Sequence, residues 1–348
     1  MISWGAARTI AVALASRTES KPGLDGFDYP AAVGRVLGPL SGFTGITLPE
    51  GAFDERQVLV TGRAEWIDFN IESFGVLMEP VLKRAASGAG DLAWALGGMT
   101  LTAQVGFLLG FLSARVLGQY DTGPLVVRRE RGEPGKVFFL DGNIVSAAGR
   151  LGVPVDGLRL WIVLHEMTHA LQFEGYPWLR AYLGELMESL LAPLAEHLGV
   201  RELLRRVSEN LSSGGRSIEL VMSRPQRAAF ERVQAAMSVI EGYSDYVMHR
   251  VGRELVPHYE YISARMSRSR MHRPPLESAI FRLTGLDIKL EQYRLGEQFA
   301  DAVASRRGME GLNRVWERPE NLPSLEEVRD PGIWMSRMEG EQEAGGDG

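Results

Sequence analysis

Apolar residues recur at helical intervals over most of this chain, and strand-like alternation is rare. From Ala64 to Ala86, Trp66, Ile67, Phe69, Ile71, Phe74, Leu77 and Met78 give one apolar helical face. A second helix is expected from about Asp91 to Leu117. It is apolar on most sides and dotted with Gly97, Gly98, Gly106 and Gly110, small residues that let another helix approach closely. The run from Trp161 to Phe173 is apolar almost all round, which predicts a buried helix, with Asp156 after Pro154 as its N-cap. Further helices are expected over Gly184–His197, Val200–Leu211, Gln226–Val251, Leu276–Leu283 and Ile288–Arg306, with breaks at LSSGGRS, at Pro225 and at Arg273-Pro274-Pro275. The clear strand signal is Leu125–Arg129 and Lys136–Leu140, which flank ERGEPG and predict a hairpin. Such a strand is either an edge that receives an extended peptide or part of a small structural sheet.

The pattern predicts a mainly α (α+β) fold with a small β-hairpin or sheet and helical elaborations at both ends. Residues 1–55, rich in Gly, Pro and Asp after an N-terminal helix, are expected to be an irregular segment with one short helix. Residues 56–337 are expected to form a single, mostly helical domain, and the charged, glycine-rich 338–348 is expected to be disordered. At 348 residues, 45% hydrophobic and 24% charged, the composition is that of a soluble globular protein able to bury a large core. The net charge of −6 comes without a long basic run, so no nucleic-acid partner is expected. Arg8 interrupts the apolar N-terminus, which therefore reads as an amphipathic helix, and Gly, Thr and Gln dilute the stretch from Leu92 to Leu117 below a membrane span. With no cysteine, any metal must be held by His, Asp or Glu, and a cytoplasmic location is expected. Nothing in the sequence specifies an oligomeric state.

The candidate chemistry lies in the buried run. His165 and His169 are four residues apart, so on a helix both imidazoles leave one face with Cβ atoms about 5–6 Å apart. That separation suits two nitrogens on one zinc ion, whose catalytic sites keep three protein ligands and a water. Glu166 can then reach the water instead of the metal. Two histidines and a glutamate in an apolar helix need partners, because unpaired polar groups are costly there. A third ligand is available in SVIEGYSDYVMHR, where Glu241 and Asp245 are about 40° apart around a helix. Either the two are solvated acids on a polar face, or Glu241 binds metal and Asp245 accepts the outer N–H of a bound histidine. His197, His249, His258 and His272 make no ligand spacing with His169. Tyr243, Tyr246, His249, His258 and Tyr293 are candidate oxyanion or substrate donors. Arg270 and Arg273 are either substrate-carboxylate binders or a solvated charge run.

These residues resemble zinc metallopeptidases of the zincin group, in the branch patterned HEXXH followed by EXXXD on a later helix. Here the pattern is His165, Glu166, His169, Glu241 and Asp245. More narrowly, the chain resembles the zincin-like metallopeptidase type 2 family, bacterial and archaeal proteins labelled hydrolases from this motif, some of them associated with biosynthesis of a deazaflavin coenzyme. The resemblance also rests on VLGQYD, PWLR, EGYSDYVM, KLEQYRLGEQF and VWERPENLPSLEEVRDPGIW, and spans roughly residues 60 to 337. It implies zinc as cofactor and hydrolysis of a peptide by an activated water, with Glu166 as general base. A zinc hydrolase of a small amide or cofactor precursor, and a non-catalytic protein whose zinc only joins two helices, are the alternatives. The interval of about seventy residues between His169 and Glu241 is longer than in the best-known enzymes of that branch.

Overall fold

The computed structural model describes residues 2–16, 26–48, 56–86, 91–121, 135–196, 224–271 and 289–345. In chain order the elements begin with α1 (Trp4–Ala15), α2 (Tyr29–Thr44), β1 (Val58–Val60), α3 (Arg63–Ala86) and α4 (Asp91–Ser113). Next come β2 (Gly118–Tyr120), β3 (Val137–Phe139), α5 (Asp141–Leu151), α6 (Val155–Gly175) and α7 (Trp178–Glu196). The chain continues with α8 (Arg224–Leu255), α9 (Tyr259–Met271), α10 (Lys289–Asn313), α11 (Leu325–Arg329) and α12 (Pro331–Gly345). The fold is mainly α with a small sheet, as the apolar periodicity predicts. Contacts divide the chain into two units, each built from three separate stretches.

In the first unit (residues 1–26, 56–147 and 183–230), α1 lies along α4 because glycine removes the obstacle between them. A Cβ at Gly106 would come within 2.7 Å of the Ala7 carbonyl oxygen, and one at Gly110 within 2.8 Å of that of Ala11. Ala11, Ala15, Trp66, Ile67, Leu109 and Leu140 form the core beneath. Buried Arg63 donates from Nε to Asn143 Oδ1 and from Nη1 to the Ala15 carbonyl, while Asn143 Nδ2 donates to the carbonyls of Ser113 and Val116. This network ties α1, α3, α4 and α5 without leaving a buried donor unmet. The sheet has the order β1-β3-β2, with β3 parallel to β1 and antiparallel to β2.

Strand β3 lies within the expected Lys136–Leu140 segment, but β1 and β2 were not legible as strands. Leu125–Arg129 lies outside the described residues. All three β3 residues are buried and both edges of the strand are paired, so it is not the open edge for a peptide that its sequence suggested. Three-residue strands are too short to show alternation, which is why their pairing was decided by tertiary contact.

In the second unit (residues 27–55, 148–182 and 231–348), α6 is buried from Gly157 to Phe173 apart from its two histidines, with α2 and α9 packed on it. The helix starts one residue before Asp156. Pro154, with φ fixed at −60°, occupies the N-cap, and Asp156 sits in the first turn, accepting from Arg159 Nη1 at 2.9 Å. There its charge complements the helix dipole instead of capping an N–H. Helices α8 and α10 cross at Gly242 and Gly296, where a Cβ on Gly296 would overlap the Ser238 carbonyl oxygen. Pro225 does not break α8, since it falls in the first turn, where its missing N–H has no helical acceptor.

The N-terminal 55 residues are less irregular than composition predicts. They supply α1 to one unit and the sixteen-residue α2 to the other, the latter capped by Asp28 and closed by Gly45 at φ 71°. At the other end α12 runs on to Gly345, so residues 338–345 are helical where disorder was expected. Glu339 pairs there with Arg307 of α10, and this contact fastens the segment. The predicted helices Val200–Leu211 and Leu276–Leu283 lie outside the described residues. No helix among the described residues is long and apolar enough to cross a membrane.

Candidate metal centre

Helix α6 presents His165 and His169 one turn apart, and α8 brings Glu241 to them. The Nε2 atoms of the two histidines are 3.2 Å apart. Glu241 Oε2 lies 3.6 Å from His169 Nε2 and 4.0 Å from His165 Nε2. Three ligands bound to one tetrahedral zinc at about 2.0–2.1 Å stand about 3.3 Å from one another. The three donor atoms therefore converge with nearly the spacing a single ion requires, and they are the chemical types zinc accepts. His165, His169 and Glu241 are the group of such side chains among the described residues that could hold a metal.

Electrostatics support the same fit. Burial, the largest single influence, pushes the His169 imidazole down, but the raising influences, led by the Glu241 carboxylate, together outweigh it. Glu166 and Gln172 add to the rise, and His169 reaches about 9. Without a cation the centre thus keeps a proton between two facing nitrogens and a carboxylate. That proton marks where positive charge is stabilised. The side chains of His165, His169 and Glu241 are 16%, 12% and 15% exposed, so the centre is buried yet not sealed. Glu166, 7% exposed, stands on the same helix outside the ligand group.

Each histidine is oriented from its far side. The indole of Trp161 stacks on His165 with ring centroids 5.8 Å apart and planes 9° from parallel, and His165 Nδ1 is 3.2 Å from Met248 Sδ. His169 Nδ1 is 3.0 Å from Gln172 Oε1 and 3.2 Å from Ser244 Oγ. At His169 the outer nitrogen therefore faces a carboxamide. Asp245 is half-buried, and its carbonyl accepts from His249 Nδ1 at 2.8 Å. Gln172 was missed in the sequence, although a glutamine three residues after the second histidine, inside an apolar run, is a readable signal.

The candidate donors separate clearly. Tyr243 is fully buried and donates its hydroxyl to Asn313 Oδ1 at 2.9 Å, while Asn313 Nδ2 donates to the Thr44 carbonyl. Burial pushes its hydroxyl well above 10, and the residue ties α8 to α10 and α2 instead of facing a substrate. Tyr246 is buried against Phe43 and Arg250. His249 is 36% exposed, with Nδ1 3.0 Å from Glu297 Oε1, and that hydrogen bond raises its pKa against the effect of burial. His258 is exposed in the turn between α8 and α9 at φ 59°. The side chains of Tyr293 and Arg270, together with His197, His272 and Arg273, lie outside the described set.

The family described as zincin-like metallopeptidase matches residues 2–335, nearly the whole chain. A crystal structure from Chloroflexus aurantiacus, described as a "putative hydrolase with a novel fold", is 36% identical. It aligns over 97% of this chain and 99% of that one with a TM-score of 0.72. No curated protein matches the chain. Together the family and the structural neighbour support a hydrolase.

Proposed function

The chain belongs to the zincin-like metallopeptidase family, and from that premise we propose that it is a zinc-dependent hydrolase that cleaves peptide bonds. In this reading His165, His169 and Glu241 hold the metal and Glu166 is the general base. The observation that carries it is the convergence of three donor atoms within 4.8 Å of one another in a centre that stays partly open. Zinc bound there would lower the pKa of a coordinated water to about 7 and polarise the scissile carbonyl. Glu166 takes the proton of the attacking water on its carboxylate and returns it to the departing amine. His249 is a candidate donor to a developing oxyanion in its protonated form: Nδ1 donates to Glu297 and the Asp245 carbonyl, so Nε2 carries a proton only in the imidazolium, which the Glu297 hydrogen bond favours.

A small amide is the second substrate class, favoured by one finding. Strand β3 is paired on both edges and is therefore not itself an open edge for an extended peptide. A purely structural zinc accounts poorly for an acid beside the ligands that is not itself a ligand, and for the exposure of all three.

Elemental analysis of the purified protein beside His169→Ala and Glu241→Ala tests the ligand set. About one zinc per chain is expected, lost in both variants. A wild type that cannot be loaded would overturn the reading, and zinc retained by Glu241→Ala would move the third ligand elsewhere.

Metal uptake also has a predictable pH dependence. His169 must release its proton to bind, so zinc affinity should fall about tenfold per pH unit as pH drops below about 9. In the metal-free protein the sign reverses. A raised imidazole stabilises the fold fully below pH 6.5, and that contribution is lost as pH rises through about 9. Chelator competition and thermal melts across pH 6–10 measure the two limbs.

A further inference from the structure

We infer that Gln172 is a positioning residue that fixes the tautomer of His169 and couples it to the helix carrying the third ligand, a role that rests on the metal reading above. Gln172 is fully buried on α6, three residues after His169. Its Nε2 donates to the Ile240 carbonyl at 3.0 Å, and this decides which end of the carboxamide faces which partner. A carbonyl can only accept, so the amide nitrogen must point at Ile240 and Oε1 must point at His169. Oε1 also only accepts, so His169 Nδ1 must carry the proton across the 3.0 Å contact. The lone pair is then left on Nε2, the atom that faces His165 and Glu241.

Ser244 closes the arrangement. Its hydroxyl lies 3.1 Å from both Gln172 Oε1 and the Ile240 carbonyl, and can donate to either. Ile240 immediately precedes Glu241, so the group that orients His169 is anchored to the backbone beside the third ligand. A shift of α8 relative to α6 would disturb both at once. The partner is also neutral. Glu166 and Glu241 already bring two carboxylates to the centre, balancing one divalent cation, and a carboxamide orients the ring without adding a third negative charge in a buried place.

The test is zinc affinity by chelator competition in wild type, Gln172→Leu and Gln172→Glu, with ¹⁵N NMR of the zinc-loaded wild type. Gln172→Leu should bind zinc about 10–100-fold more weakly, and Gln172→Glu, which keeps an acceptor for Nδ1 but loses the donor to Ile240 and adds a buried charge, should recover only part of that loss. The NMR spectrum should show the His169 proton on Nδ1 and the metal on Nε2. Metal on Nδ1, or a folded Gln172→Leu that binds as tightly as wild type, would overturn the role of Gln172 while leaving the metal centre standing. A wild type that takes up no zinc would overturn both. If Gln172→Leu fails to fold, the wild-type spectrum decides alone.

Discussion

Replacing Glu166 with Gln is expected to lower turnover by about 10²–10⁴-fold while zinc content stays at the wild-type level. The carboxamide keeps the shape of the side chain but cannot take a proton from water. Glu166 stands outside the group of three donors, so its loss should not release the metal. Its charge is one of those that raise His169, so in the metal-free variant His169 should lose its proton at lower pH than in the wild type. Activity is measured on a peptide library and on small amide substrates, with metal content assayed on the same preparations. Unchanged hydrolysis with zinc in place would remove Glu166 from the chemistry and leave a structural metal as the better account.

Gly296→Ala should be the most damaging single methyl group described here, at about 2–4 kcal/mol of stability. The added Cβ would overlap the Ser238 carbonyl and lie 3.2 Å from the Gly242 Cα, so backbone must move, with no flexible side chain to give way. Because Gly242 adjoins Glu241, the displacement should also weaken metal binding. Gly340→Ala is the control. An added methyl there meets nothing within 4 Å, and its effect should stay within about 1 kcal/mol. Denaturant unfolding of both variants measures the contrast. Equal stabilities would mean that α8 and α10 are not held at this crossing.

Much of the helical framework was legible because its causes are local. Trp66, Ile67 and Ile71 repeat at helical spacing and are buried or half-buried on α3, and the apolar run around His165 became the buried helix α6. The N-terminal segment misled for a physical reason. Glycine and proline read as loop, yet in α2 Pro30 occupies the first turn and Gly45 ends the helix at positive φ, both positions that favour those residues. Tyr243 misled in another way: a hydroxyl near the motif suggests catalysis until its burial and its bond to Asn313 are seen.

The sequence by itself determined that two imidazoles share one face of a buried helix with an acid between them, since i, i+4 geometry needs nothing beyond the helix. It also nominated Glu241 by its place in EGYSD, and nearly the whole chain carries the family pattern. Only the tertiary structure decided that the Glu241 carboxylate comes within 4.0 Å of both histidines, that Gln172 and not a carboxylate meets His169, and that β3 is covered on both edges. These are contacts between residues up to about eighty positions apart. They depend on how closely helices can cross and strands can pair, and at Gly242 and Gly296 that closeness is set by the absence of a side chain.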